Sequence, residues 1–230
     1  MLDFDYLIIT NQYFSTDSLR STVQFFVERG IRKFIFTLDF NRELRTVTWI
    51  MDRLKRLDEL LKSFRPRSVS FYVCANLTLT EGVLYDPQLR RLCIDRSNLL
   101  FIQLPFFVDE AWIRSNLNHL LFERKISPIF TSFENNLQTN PSSLLESCLR
   151  SSFYRFAIDV NYLTALDSKP FVARVIDERI PILPCVSHSL PNYVGVDSAF
   201  AQLRQSLGEA QYFQLCRTIQ QGGHKLFSVL

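Results

Sequence analysis

Residues 180–192, IPILPCVSHSLPN, read as a short apolar strand, Ile182–Val186, that runs directly into a polar turn carrying His188. A strand that delivers a histidine to the loop at its C-terminal end is the arrangement by which β/α barrels place their chemistry. Working outward, six earlier segments repeat the apolar half of that pattern. Strands are predicted near Tyr6–Ile9, Phe34–Thr37, Val69–Cys74, Leu99–Leu104, Pro128–Thr131 and Phe156–Val160. With the seventh at Ile182, their starts recur at roughly thirty residues, the length of a βα unit.

Helical patterns fill most of the intervals. One starts near Ser15, Thr16 or Asp17 and runs through Glu28, with Gly30 placed for a left-handed C-cap. The longest carries Leu44, Val47, Met51, Leu54, Leu61 and Phe64 at helical spacing until Pro66 stops it. Residues 77–98 are irregular and predict a loop or short hairpin with one short helix. Asp109 can cap a helix over Glu110–Arg124, Asn140 one over about Ser142–Arg150, and Ser168–Arg179 carries Pro170 in its first turn. Two C-terminal helices are predicted, Val196–Leu207 and Gly208–Gln220, ending at Gly222-Gly223. Short apolar strands alternating with amphipathic helices require a parallel sheet buried on both faces. No G-x-G-x-x-G or phosphate loop is present, so the expected fold is α/β, a seven-stranded β/α barrel in a single domain spanning 1–230.

Composition narrows the classes. The chain is 47% hydrophobic and 21% charged, so it can bury one sizeable core. It carries 21 Phe against 6 Gly. Most Phe fall at strand or helix-face positions and read as core, but Phe101, Phe106, Phe107 and Trp112 exceed what one strand and its loop need. Some of these four are therefore expected exposed at the barrel mouth or in an interface with a protein partner or a second copy, as a homo-oligomer. A net charge of +3 without a dense basic run argues against nucleic acid. Five cysteines, odd in number and without Cys-x-x-Cys, imply free thiols in a reducing compartment. The acidic start MLDFDYLII does not read as a signal peptide, and the apolar run Leu99–Val108 is broken by Gln103 and Pro105. A cytoplasmic protein without a membrane span is expected.

The strand ends carry the candidate site. Asp3 and Asp5 accompany the first strand, Asp39 follows the second and Asn76 the third. Ser132 and Glu134 follow the fifth, Asn161 the sixth and His188 the seventh. Three or four of these in one pocket would suit a hard divalent ion held by oxygen and one imidazole. The competing reading is that polar residues stand there because loop starts are wet and need turn formers. His119 reads as a helix-face residue, His224 as a tail residue, and Cys185 as core.

In order and spacing, LDFDYLI, FIFTLDF, VCANLTLTEGVLYD, ISPIFTSFENN, FAIDVNYLTA, ILPCVSHS and HKLF resemble the PHP (polymerase and histidinol phosphatase) superfamily. The resemblance is to its bacterial capsule and exopolysaccharide tyrosine phosphatases. It implies a distorted seven-stranded barrel whose strand ends hold a metal cluster that hydrolyses phosphotyrosine. This sequence departs from the ligand set the resemblance implies. Asp5 and Leu7 stand at the family's first His-x-His, Asp39 and Ser132 at histidines, Asn76 at the metal-bridging glutamate, and Asn135 at a phosphate-binding arginine. Glu134 matches an acidic residue of the following turn, and His188 and Leu190 match the final Asp-x-His.

Closely packed cations need anionic and imidazole ligands to offset their repulsion. A full cluster is therefore not expected: no cofactor, or at most one weakly bound divalent cation, with His188 paired to an acid instead of an ion. The resemblance implies a degenerate, non-catalytic barrel acting as a binding or regulatory protein, within exopolysaccharide biosynthesis. The alternatives are a metal-dependent phosphoester hydrolase with a rebuilt site around Asp5, Asp39, Glu134 and His188, or an unrelated barrel enzyme that works without metal.

Overall fold

The computed structural model describes residues 4–11, 16–80, 82–105, 109–134, 143–165, 168–187 and 194–230. Seven strands pair in sequence order and close on themselves. They are β1 (Tyr6–Asn11), β2 (Lys33–Phe40), β3 (Ser70–Thr78), β4 (Leu99–Gln103), β5 (Ser127–Thr131), β6 (Arg155–Asp159) and β7 (Ile182–Ser187). All neighbours are parallel, and β7 closes the ring on β1 through Ile8↔Cys185, Ile9↔Val186 and Thr10↔Ser187. The pairing is uneven: β2 and β3 run together for eight positions, whereas β3–β4 and β5–β6 share three each.

Helices occupy the outside, as the right-handed βα crossover demands. They are α1 (Thr16–Glu28), α2 (Val47–Phe64), α3 (Glu110–Asn118, continuing as a π turn over His119–Glu123), α4 (Ser143–Arg150), α5 (Val160–Thr164), α6 (Lys169–Asp177) and α7 (Val194–Phe227). In α2, the Thr46 side chain accepts from the Trp49 N–H at 3.2 Å, and Ile50, Leu54, Leu57 and Leu61 bury one stripe. Leu44, placed on that stripe by spacing, precedes the helix and is 70% exposed. The irregular region before β4 forms two short 3₁₀ turns, Leu89–Leu92 and Ile94–Arg96.

Phenylalanine fills the barrel wall. Phe34, Phe36 and Phe71 pack together on one side, and Phe130, Phe133 and Phe156 on another. Of the four aromatics expected to leave some surface for a partner, Phe101 is fully buried, while Trp112 is half-buried against the core. Phe106 and Phe107 lie outside the described residues. All five cysteines are buried and free. No helix among the described residues is long and apolar enough to cross a membrane.

The C-terminal segment breaks at Gly208 (φ 74°), so α7 is two helices, and the second runs on to Phe227 instead of stopping at Gly222-Gly223. The two glycines are helical because α7 presses against the base of the barrel. A Cβ on Gly222 would meet the carbonyl oxygen of Ile182, and one on Gly223 would enter the ring of Tyr6. The Tyr6 hydroxyl donates to the Ile219 carbonyl at 2.6 Å and fixes the same contact. Gly223→Ala is expected to cost about 2 kcal/mol by overpacking a fully buried ring. That corresponds to a fall of roughly 4–8 °C in Tm for a chain of this size. An unchanged thermal melt would mean that α7 does not seal the base this closely.

Candidate functional site

Because all strands are parallel, their C-terminal ends meet at one mouth. A cavity of about 410 Å³ opens there. Thr10 reaches it from β1, Asp39 from β2, Asn76 from β3, Gln103 from β4, Thr131 from β5, Asp159 from β6 and Cys185 from β7. Ser132 and Glu134 enter from the turn after β5, and Tyr162 from α5.

Local geometry explains how Glu134 arrives. Ser132 adopts a left-handed backbone (φ 53°), unusual for a residue with a Cβ, and the chain folds sharply after β5. Phe133 then drops into the core against Phe156, with ring centroids 4.8 Å apart, and Glu134 lines the cavity. Across the mouth, Asp159 ends β6 and caps α5 by accepting from the Asn161 N–H at 2.8 Å.

Between β2, β3 and β5 runs a hydrogen-bonded chain. The Asn76 amide nitrogen donates to the Asp39 carboxylate at 2.8 Å, and the Thr131 hydroxyl donates to the Asn76 amide oxygen at 2.7 Å. Burial raises the pKa of Asp39, and the Asn76 hydrogen bond pulls it partly back. Glu134 is only 4% exposed, and its Oε2 has no hydrogen-bond partner. Burial drives its pKa up to about 7; the Asp159 charge adds to this, while backbone N–H groups of Glu134 and Asp159 oppose it. The Cys185 thiol is raised well above its usual value by burial first and then by Asp159, Glu134 and Asp39. It stays protonated at neutral pH and is no nucleophile.

Of the residues proposed from sequence, Asp39, Asn76, Ser132 and Glu134 line this cavity. Asp5 does not. It precedes β1 at the opposite end of the barrel, where its carboxylate pairs with Lys33 at 2.9 Å. At the strand's rise, Thr10 lies about 16 Å further along the chain. Leu7 is buried in the wall, so the residues matched to His-x-His sit too early in β1 to face the mouth. His188, Asn135, Leu190 and Asp3 lie outside the described residues. Asn161 contributes its backbone N–H to the Asp159 cap and is itself exposed.

Sequence reading missed Thr10, Gln103, Thr131, Tyr162 and Asp159. Asp159 was legible: Ala157 and Asp159 share a strand face two residues apart, and an acid before Asn161 is a ready helix cap. Cys185 was read as core, and it is buried, yet its sulfur also borders the cavity.

Seven parallel strands thus close into a barrel with a polar mouth at their C-terminal ends. The chain is similar to a solved structure from the crystallographic description of YwqE from Bacillus subtilis and CpsB from Streptococcus pneumoniae, unique metal-dependent tyrosine phosphatases. The TM-score is 0.63 at 15% identity, over 90% of this chain and 88% of that one, a likeness of fold. No protein-family model matches the sequence, and no curated protein does.

YwqE and CpsB are metal-dependent, and the residues at this mouth can be tested against a metal. The Asn76 amide N–H stands against Asp39, where a cation bridging β2 and β3 would need an oxygen lone pair. Asn76's oxygen is taken up by Thr131. Among the described residues, no group of three His, Cys, Asp or Glu side chains is placed to hold a metal ion. The β2–β3 side of the mouth does not fit a metal cluster. Besides Asp39, Glu134 and Asp159 are the carboxylates that line the cavity among the described residues.

Proposed function

We propose that this chain is a non-catalytic, phosphatase-like barrel whose mouth serves as a binding pocket. It acts as a binding or regulatory protein beside a tyrosine-phosphorylation system of exopolysaccharide synthesis, in the cytoplasm, where its buried thiols stay reduced. The observation that carries this reading is the chain Asp39–Asn76–Thr131, which replaces ion ligation by hydrogen bonding in the part of the mouth formed by β2, β3 and β5. Function resides in the site, and the fold alone does not transfer hydrolysis.

A single cation at Glu134 and Asp159 remains the second reading, favoured by the partnerless Oε2 of Glu134. One experiment separates the two: phosphotyrosine-peptide turnover in added manganese, with elemental analysis of the purified protein. The expected result is turnover at the buffer rate and substoichiometric metal. Stoichiometric manganese with turnover that Glu134→Gln abolishes would establish a hydrolase.

A further inference from the structure

A second cavity, of about 400 Å³, opens at the other end of the barrel, where β6 and β7 begin. It is separate from the mouth: Arg155, in this cavity, and Asp159, in the mouth, stand at opposite ends of β6, about 13 Å apart along the strand. Its charge is also opposite. Four cationic side chains line it: Arg150 at the end of α4, Arg155 at the start of β6, Arg179 in the turn before β7, and Lys225 on α7.

The one acid among the lining residues, Glu178, is already engaged. Its carboxylate meets Arg174 Nε at 3.1 Å and Arg150 Nε at 3.8 Å. Arg155, Arg179 and Lys225 make no ion pair among the described residues. Arg155 is the most telling. Its Nε is buried and has no hydrogen-bond partner, although a guanidinium stays charged in a protein and a buried unpaired donor is costly. Arg179 is held in a left-handed backbone (φ 53°), a conformation that non-glycine residues keep where the surroundings enforce it.

Neutral donors complete the wall. Ser151 and Ser152 border the cavity, as does Tyr154, whose pKa burial pushes up to about 12, so its hydroxyl keeps a proton to donate. Leu149, Ile180 and Pro181 supply an apolar side. Convergent cations and hydroxyls, one apolar wall and a volume in the small-ligand range suit an anion attached to an organic body.

We propose that this cleft binds a phosphate-bearing small molecule of sugar-phosphate or mononucleotide size, its phosphate on Arg155, Arg179 and Lys225 and its organic part against Leu149, Tyr154 and Pro181. The site is independent of whether the mouth binds or hydrolyses anything. Calorimetric titration of the full chain with glucose 1-phosphate, adenosine monophosphate and inorganic phosphate tests it.

At least one ester is expected to bind 1:1 with Kd below about 1 mM, more tightly than inorganic phosphate. The tighter ester identifies the source as sugar or nucleotide; equal affinities mean that both bodies fit. Arg155→Gln should weaken binding by about tenfold or more, and Lys225→Gln by about threefold or more. Lys225 is exposed on α7, so its substitution leaves the barrel wall intact. Lys55→Gln, on the exposed face of α2, should bind as the parent does. Three outcomes overturn the proposal: no binding up to millimolar ester, inorganic phosphate bound as tightly as the esters, or unchanged affinity in both the Arg155 and Lys225 variants.

Discussion

Glu134→Gln will stabilise the protein at pH 8 and remove most of the loss of stability that the parent suffers between mildly acidic and neutral pH. In the folded chain the Glu134 carboxyl titrates at about 7, against an ordinary value of 4.5. Below the unfolded value both states carry the proton and burial costs nothing extra. As pH rises from there through about 7, the unfolded chain ionises freely while the folded chain holds its proton, so stability falls; above that, the full penalty is in place. The shift corresponds to about 3 kcal/mol, or some 6 °C or more in Tm. Asp39, also raised by burial, contributes with the same sign, so a shallower slope should survive in the variant. Thermal melts of both proteins from pH 4 to 8.5 check this. Parallel curves would mean that Glu134 is already ionised and solvated at the mouth.

Asn76→Asp should have the opposite effect and the larger one. It places a second carboxylate where an amide nitrogen now lies 2.8 Å from Asp39, in a residue only 5% exposed. Two buried carboxylates at that distance cannot both ionise, and breaking the Asn76–Asp39 pairing leaves Asp39 without its donor. A loss of about 4 kcal/mol at pH 8 is expected, recovered in part as pH falls and one of the pair takes up a proton. Manganese at millimolar concentration should also restore stability in the variant, by supplying between the two carboxylates the positive charge that the amide supplied. It should do little for the parent. If the variant melts like the parent in chelator at pH 8, the hydrogen-bonded chain through Asn76 is not what organises this side of the mouth.

The same residues show how far a sequence reaches. Apolar runs such as FIFT and PIFT and their recurrence specify strands, because a parallel sheet covered on both faces needs its strands apolar on both. Asp39, Asn76 and Glu134 were legible as strand-end polar residues by position alone. Asp159 was legible by the same rule but was passed over as strand interior, when it closes β6 and caps α5.

Asp5 fails for a related reason. Sequence spacing places a residue on a strand without saying where along it the barrel mouth lies, and the register of β1 against β2 and β7 puts Thr10 there instead. Gly222-Gly223 read as a helix stop for want of a Cβ. Only the packing of α7 on Tyr6 and Ile182 turns that absence into a close contact.

By itself, then, the sequence determined the seven strands, the main outer helices, their parallel barrel and the polar character of the mouth. These follow from local periodicity and from the need to bury apolar faces. Which polar groups face one another was decided by tertiary structure. The amide of Asn76 turned to Asp39, the partnerless oxygen of Glu134 and the unpaired Arg155 at the far end all depend on strand register, closure and burial. Those bring together residues tens of positions apart, and the charge each carries depends on the neighbours it then meets.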